Sequence, residues 1–147
     1  MDAERFSDGP CPLARALIRV GDAWSMLILR DAGYGATRFD QFRQGLGIAP
    51  NILTRRLSAL TEAGLLEKRR YSERPPRDEY VLTRKGRDFL PVLAAIGAWG
   101  SVHYGQGGTT RAVDADSGAI IDPVVVDRAT GRPLSEIRTR PLLPGER

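Results

Sequence analysis

The chain of 147 residues carries one cysteine, one histidine and, among its 22 basic residues, only two lysines, Lys68 and Lys85. A lone cysteine excludes any disulfide within the chain. The lone histidine, His103, excludes a multi-histidine metal site, and a serine–histidine–aspartate triad would have to be built on it. Its place at the end of an expected helix suits a cation at a helix C-terminus better than a catalytic base. No apolar run approaches the roughly 20 residues that a helix needs to cross a bilayer. No basic-then-apolar leader opens the chain. These absences predict a soluble cytoplasmic protein. Gly105-Gln106-Gly107-Gly108 follows a helical pattern rather than a strand, the wrong context for a phosphate loop. Asp114, Asp116 and Asp122 do not match the spacing of a calcium loop. No catalytic residue, metal site or cofactor is therefore expected, and the chain reads as a non-enzyme.

What is present is positive charge, nearly all of it arginine. Basic residues exceed acidic ones by four, and the stretch from residue 105 onward holds six of each sign, so the excess lies wholly in residues 1–104. A basic domain is compatible with a polyanionic partner. Arginine offers forked contacts to phosphate and guanine, although an arginine-, alanine- and glycine-rich composition also follows from a GC-rich genome.

The apolar periodicity predicts five helices and one hairpin. Residues 1–10 are polar and expected to be flexible. Cys11-Pro12 opens a first helix with an apolar stripe through Leu13, Leu17 and Ile18, stopped by Gly21-Asp22. A second helix, over 23–32, is apolar on nearly all sides and should be central. A glycine-rich turn leads to a third, over 38–46, with Phe39, Phe42 and Leu46 on one face. Gly47-Ile48-Ala49 turns the chain into a fourth, over 50–63, closed by Gly64. An alternating segment then flanks a loop at 72–77, the signature of a two-stranded hairpin. Thr83 is a suitable N-cap for a last helix over 84–103, in which Pro91 predicts a kink or two abutting helices. From residue 105 the character changes to a linker and C-terminal extension, 105–147, with a small hairpin expected around residues 120–134.

Residues 48–80 hold the chemistry. At about 100° per residue, Leu53, Leu57 and Leu60 fall within about 60° of one another and face a core. Asn51, Thr54, Arg55 and Ser58 fall about 100° to 200° from Leu53, on the opposite side. Arginine suits guanine, asparagine suits adenine, and threonine can touch a thymine methyl or a phosphate. Arg56 lies on the flank, within reach of a backbone. Any amphipathic helix has a polar face, but the short helix and tight turn before this one resemble a helix-turn-helix. The hairpin that follows carries Lys68, Arg69, Arg70, Arg74 and Arg77. Its Arg74-Pro75-Pro76-Arg77 tip is stiff, which lowers the entropy lost on docking against a duplex. A tip arginine suits a minor groove or a phosphate. The competing expectation is a solvated hairpin whose charges pair internally, with Asp78 and Glu79 partnering Arg69 or Arg70.

Together these segments resemble the HxlR-type winged helix-turn-helix regulators, close to the MarR group. The resemblance rests on Cys11-Pro12-Leu13-Ala14-Arg15-Ala16-Leu17, Trp24 with Leu27-Ile28-Leu29-Arg30, Arg38-Phe39-Asp40, Leu53-Thr54-Arg55-Arg56-Leu57, Leu60, Gly64-Leu65, Glu79-Tyr80, Leu82-Thr83 and Gly86. It covers roughly residues 10–103. It implies a mainly α fold with a small β-hairpin (α+β), a winged helix-turn-helix over residues 11–104 that dimerises through its first and last helices. It implies a bacterial homodimer bound to double-stranded operator DNA, a repressor of an adjacent gene. The DNA-contacting residues would be Asn51, Thr54, Arg55, Arg56, Ser58, Lys68, Arg70, Arg74 and Arg77. The dimer interface would use Leu13, Leu17, Phe89, Leu93, Ile96 and Trp99, since the last helix carries more apolar surface than a monomer this small need bury. Two departures stand out. Ala49 replaces the serine often found before the recognition-helix proline and cannot cap. Gly21-Asp22-Ala23-Trp24 replaces Gly-Gly-Lys-Trp, with the loss of a positive charge.

Some relatives of this type use the cysteine at the Cys11 position to sense oxidants or electrophiles. A helix N-terminus favours a negatively charged, reactive sulfur. Without a second cysteine the options are a bond between two subunits, a mixed disulfide with a small thiol, or alkylation. The competing expectation is a buried, inert cysteine. A small-molecule effector is a further option. The alternative function is a winged-helix protein-interaction module without DNA binding. An RNA-binding role is disfavoured because Tyr71 alone offers a stacking platform near the basic patch.

Overall fold

The computed structural model describes residues 7–146. The expected flexible N-terminus therefore falls mostly outside the described residues. Within it, the carbonyls of Asp8 and Gly9 accept hydrogen bonds from the Arg15 guanidinium at 3.0 and 2.7 Å. The chain divides into two units, Met1–Leu90 and Pro91–Arg147. Among the described residues the elements are α1 (Pro12–Val20), α2 (Ala23–Gly33), α3 (Phe39–Leu46), α4 (Pro50–Glu62), β1 (Leu66–Glu73), β2 (Pro76–Leu82) and α5 (Arg84–His103), the expected five helices and antiparallel hairpin, followed by a short 3-10 helix at Leu134–Glu136. Among the described residues no helix is long and apolar enough to cross a membrane.

Local chemistry sets the helix boundaries. Cys11 is the N-cap of α1, its sulfur accepting from the Ala14 amide at 3.5 Å, with Pro12 in the first turn. Asp22 caps α2 by accepting from the Ser25 amide at 2.8 Å. The Gln41 carboxamide oxygen reaches back to the amides of Thr37 and Arg38 at 2.9 and 3.0 Å and fixes the start of α3. Gly47, at φ 64°, ends α3 in a left-handed turn that a side chain would strain. Ala49 gives α4 no side-chain cap. At the other end of α4, the Lys85 ammonium donates to the Ala63 carbonyl at 3.0 Å.

The core of the first unit is apolar and contiguous. Ile28 and Leu29 of α2, Phe42 of α3, and Leu53, Leu57 and Leu60 of α4 are all wholly inaccessible, with Val20, Ile48, Leu65 and Leu66 around them. Each such side chain contributes about 1.5–3 kcal/mol on burial. The helical phase inferred for α4 is therefore the observed one.

The hairpin departs from expectation at its tip. The strands run on to Glu73 and from Pro76, so the connection is only Arg74-Pro75 rather than a loop over 72–77. Arg70 pairs with Asp78 and Ser72 with Arg77, so Tyr71 is left out of the ladder as a bulge. A bulge re-aims the side chain it leaves out. Behind the hairpin, the Thr83 hydroxyl accepts from the Gly86 amide and donates to the Gly64 carbonyl. Gly86 is buried, and a Cβ there would run into the Leu65 carbonyl. This close approach of the Leu65 backbone, just before β1, to α5 is what requires glycine.

α5 is one helix of 20 residues with Pro91 inside it, which corrects the expectation of two abutting helices. Proline removes a single amide donor, and the remaining ladder of a long helix tolerates that loss. In the second unit the residues after α5 form two tight turns. The Asp114 carboxylate accepts from the amides of Asp116 and Ser117, and Val113 bridges Ile120. Part of the stretch expected as linker is thus a closed turn. The Asp127 carboxylate accepts from Thr130 and Ala129, and Val126 bridges Pro133. The expected hairpin is reduced to that one bridge, because Pro123 and Pro133 lack the amides a ladder would need. Hydrogen bonds to the charged form lower both carboxyl pKa values: the Asp116 and then the Ser117 amide act on Asp114, the Thr130 hydroxyl foremost on Asp127. None of residues 105–146 is buried.

Candidate nucleic-acid interface

α4 presents one continuous polar face. Asn51, Thr54, Arg55 and Ser58 are exposed, while Leu53, Leu57 and Leu60 behind them are wholly buried. Thr54 donates its hydroxyl to the Pro50 carbonyl at 2.9 Å, so it offers outward only lone pairs and a methyl group. Arg56 is placed differently from its neighbours. It is half-buried, and its Nε lies 3.5 Å from Asp22 Oδ1 at the start of α2, an engagement within the domain. Asp22 thus both caps α2 and holds an arginine of α4.

The hairpin's charges separate into two classes. Near its base, Arg70 lies 3.1 Å from Asp78 and 3.7 Å from Glu73, and Lys68 lies 3.7 Å from Asp78. Arg69 lies 3.5 Å from Glu67, its neighbour on the same strand. Of the internal pairings anticipated, Asp78 with Arg70 forms, whereas Arg69 is held by Glu67 and not by Asp78 or Glu79. Arg74 and Arg77, at the exposed tip, form no ion pair among the described residues. The base of the wing is locally close to neutral, and its tip carries two uncompensated charges.

The structure adds a residue that sequence reasoning missed. The Arg38 guanidinium carbon lies 4.4 Å from the centroid of the Tyr71 ring, in cation–π geometry. The Tyr80 amide donates to the Thr37 carbonyl at 2.7 Å and ties β2 to the turn entering α3. Arg38 stands in the Arg38-Phe39-Asp40 motif, but its contact depends on the bulge that re-aims Tyr71, and nothing in a linear pattern marks that bulge. Helix-turn-helix and wing are thereby joined by a backbone hydrogen bond and a stacked side chain.

Away from this face, Cys11 is exposed, which corrects the expectation that it is buried. On α1, Leu13 and Leu17 are 64% and 42% exposed. On α5, Ile96 and Trp99 are exposed and Phe89 and Leu93 half-buried, and Val92 and Val102, not anticipated, extend the exposed apolar surface. Trp99 packs on His103 and Tyr104, with ring centroids 5.2 and 5.5 Å away.

Residues 19–107 match the family of HxlR-like helix-turn-helix proteins. An HTH-type transcriptional regulator of Mycobacterium bovis is 43% identical over 88 residues, 60% of this chain and 56% of that protein, so the chain spans little more than half the length of that relative. Among solved structures, a transcription factor of Pseudomonas aeruginosa is 49% identical, with a TM-score of 0.66 over 93% of this chain and 95% of that one. The transcription factor PA1607 is 38% identical, with a TM-score of 0.83 over 92% of this chain and 98% of that one. Such coverage extends beyond His103, so both structures match part of the C-terminal extension as well as the winged helix.

Proposed function

The chain belongs to the HxlR-like helix-turn-helix family of transcriptional regulators, and on that premise we propose that it is a homodimeric repressor that binds a pseudo-palindromic operator in double-stranded DNA. α4 enters a major groove and reads base edges with Asn51, Arg55 and Ser58, while Thr54 presents its methyl group to thymine. Arg74 and Arg77 at the wing tip hold the backbone or the adjacent minor groove. Lys68 and Arg70 add weaker, carboxylate-tempered attraction, and Arg56 braces α4 from its flank. The dimer forms through α1 and α5, with Leu13, Leu17, Phe89, Leu93, Ile96 and Trp99 between the two copies. The half-sites then lie about one or two helical turns apart.

The observation that carries this reading is the pairing of a wholly polar, exposed face on α4, backed by a wholly buried one, with two wing-tip arginines that no carboxylate neutralises. The regulatory part of the proposal is oxidation or alkylation of the exposed Cys11, or alternatively a small-molecule effector. The test is binding of the purified protein to its own upstream DNA, titrated in salt, with and without diamide. Tight binding that weakens steeply with salt is the expected result, and Cys11→Ser should abolish any release by diamide. Release that persists in Cys11→Ser would remove the cysteine from the mechanism. Failure to bind either this DNA or random duplex at low salt would overturn the function.

A further inference from the structure

We propose that the open cleft between the start of α3 and the wing is a phosphodiester site, in which Arg38 and Arg77 together grip one backbone phosphate of the bound duplex. The inference rests on the DNA-binding reading above and assigns a contact that neither the recognition helix nor the wing tip supplies alone. The cleft brings together Arg38, Gln41, Tyr71 and Arg77, with Asp40 and Asp78 at its edges.

Three features select an anion. First, the acidic edges are already engaged. Asp78 lies 3.1 Å from Arg70 and 3.7 Å from Lys68, and Asp40 lies 3.6 Å from Arg43. Arg38 and Arg77 form no ion pair among the described residues, so two guanidinium charges share one cleft without a partner. Second, the groups left over are donors. Gln41 commits its carboxamide oxygen to the amides of Thr37 and Arg38, which leaves its NH2 group to donate. The groups not already engaged, the Arg38 and Arg77 guanidinium groups and the Gln41 NH2, are donors and suit phosphate oxygens, whereas a base edge presents donors as well as acceptors. Third, Arg38 is held in place beforehand. The guanidinium carbon sits over the Tyr71 ring at 4.4 Å, and the group has no ion-pair partner among the described residues, so its N–H donors are available for the forked contact that phosphate favours. The hydrogen bond from Tyr80 to Thr37 holds the two walls of the cleft together.

The site belongs to the duplex backbone and not to a free anion, because the cleft is open and both of its walls continue into the proposed interface: α3 through the turn into α4, and the wing to its tip. Arg38 is exposed and its side chain caps nothing, so Arg38→Ala should leave the fold intact.

The test uses the full chain, a duplex that the wild-type protein selects from a random pool, and a scrambled duplex of the same length. Arg38→Ala should weaken binding to both duplexes by a similar factor of about ten. It should also reduce the log–log salt slope, by at most about 1.8 per dimer, because Arg77 still faces the shared phosphate and each fully lost phosphate contact contributes about 0.9. Tyr71→Phe should bind as the wild type does, and Tyr71→Ala should lose part of what Arg38→Ala loses. An unchanged slope in Arg38→Ala, with its melting temperature intact, would overturn the proposal and leave the DNA reading standing. A loss confined to the selected duplex would make Arg38 a base reader and overturn it equally. Displacement of wild-type protein from DNA by inorganic phosphate at matched ionic strength, absent in Arg38→Ala, would assign the cleft to a free anion instead. If the wild type selects no duplex, the functional reading and this inference fall together.

Discussion

Asp78→Asn should strengthen DNA binding, because Asp78 holds two wing cations and edges the proposed phosphate cleft. Its carboxylate lies 3.1 Å from Arg70 and 3.7 Å from Lys68 and is 29% exposed. Removing its charge leaves Lys68 without a carboxylate partner and Arg70 with only Glu73, at 3.7 Å and itself 81% exposed. The cost to the fold is small, because exposed ion pairs contribute about 0–1 kcal/mol each. The gain at the interface is read from the salt dependence. With Arg38 and Arg77 on one phosphate and Arg74 on another in each chain, two chains on one operator give a slope of about −3.6 from these contacts, at about −0.9 per phosphate. Asp78→Asn frees one or two cations per chain and should steepen the slope to between about −5.4 and −7.2. Fluorescence anisotropy with a labelled duplex, between about 50 and 200 mM salt, covers the range in which such slopes separate. Arg74→Ala should flatten the slope, and Lys68→Ala, already neutralised by Asp78, should barely move it. A wild-type slope already at about −7, or an equal loss in Lys68→Ala and Arg74→Ala, would refute the reasoning. The carboxylates would then not decide which cations reach DNA.

Other consequences can be checked independently. Leu57→Ala, at a wholly inaccessible position behind the polar face of α4, should cost about 2–5 kcal/mol in denaturant unfolding. A cost well below that range would mean that α4 is not anchored as described. Ile96→Glu places a charge on a residue 45% exposed in the single chain, so it should convert dimer to monomer in sedimentation while far-UV dichroism stays the same. Persistence of the dimer would move the interface away from α5. For the turns after α5, the Asp114 and Asp127 carboxyls titrate below their ordinary value of 3.8. Their contribution is therefore complete above the unfolded value and is lost as pH falls through the lower, folded one. Amide shifts of Asp116, Ser117 and Thr130 should stay constant from neutral pH down to about 4 and change only below it; a transition centred above that point would contradict the assigned hydrogen bonds.

Much of the fold is legible without coordinates, because its signals are local. The three-and-four spacing of Leu53, Leu57 and Leu60 determines which side of α4 faces the core, and hence that Asn51, Thr54, Arg55 and Ser58 face outward. Thr83 announces a helix start through a hydrogen bond that spans only three residues, whereas Asp22, legible in the sequence as a helix stop, caps the next helix in the same way. Gly47 announces a turn that other residues would strain.

The tertiary structure decided which charges are available and which stacking contacts form. Arg56 sits on the same helix as Arg55, yet Asp22, far away in sequence, takes it up. Lys68 and Arg70 resemble Arg74 and Arg77 in any count of basic residues, but cross-strand register sets Asp78 beside the first two and no carboxylate beside the others. The bulge that frees Tyr71 from the ladder is what gives Arg38 a partner. The physical reason is range. Helical phase and capping depend on neighbours within a turn or two, which the order of residues specifies directly. Ion pairing and stacking depend on which distant side chains the finished fold brings within about 4 Å, where the interaction between charges is strong enough to count.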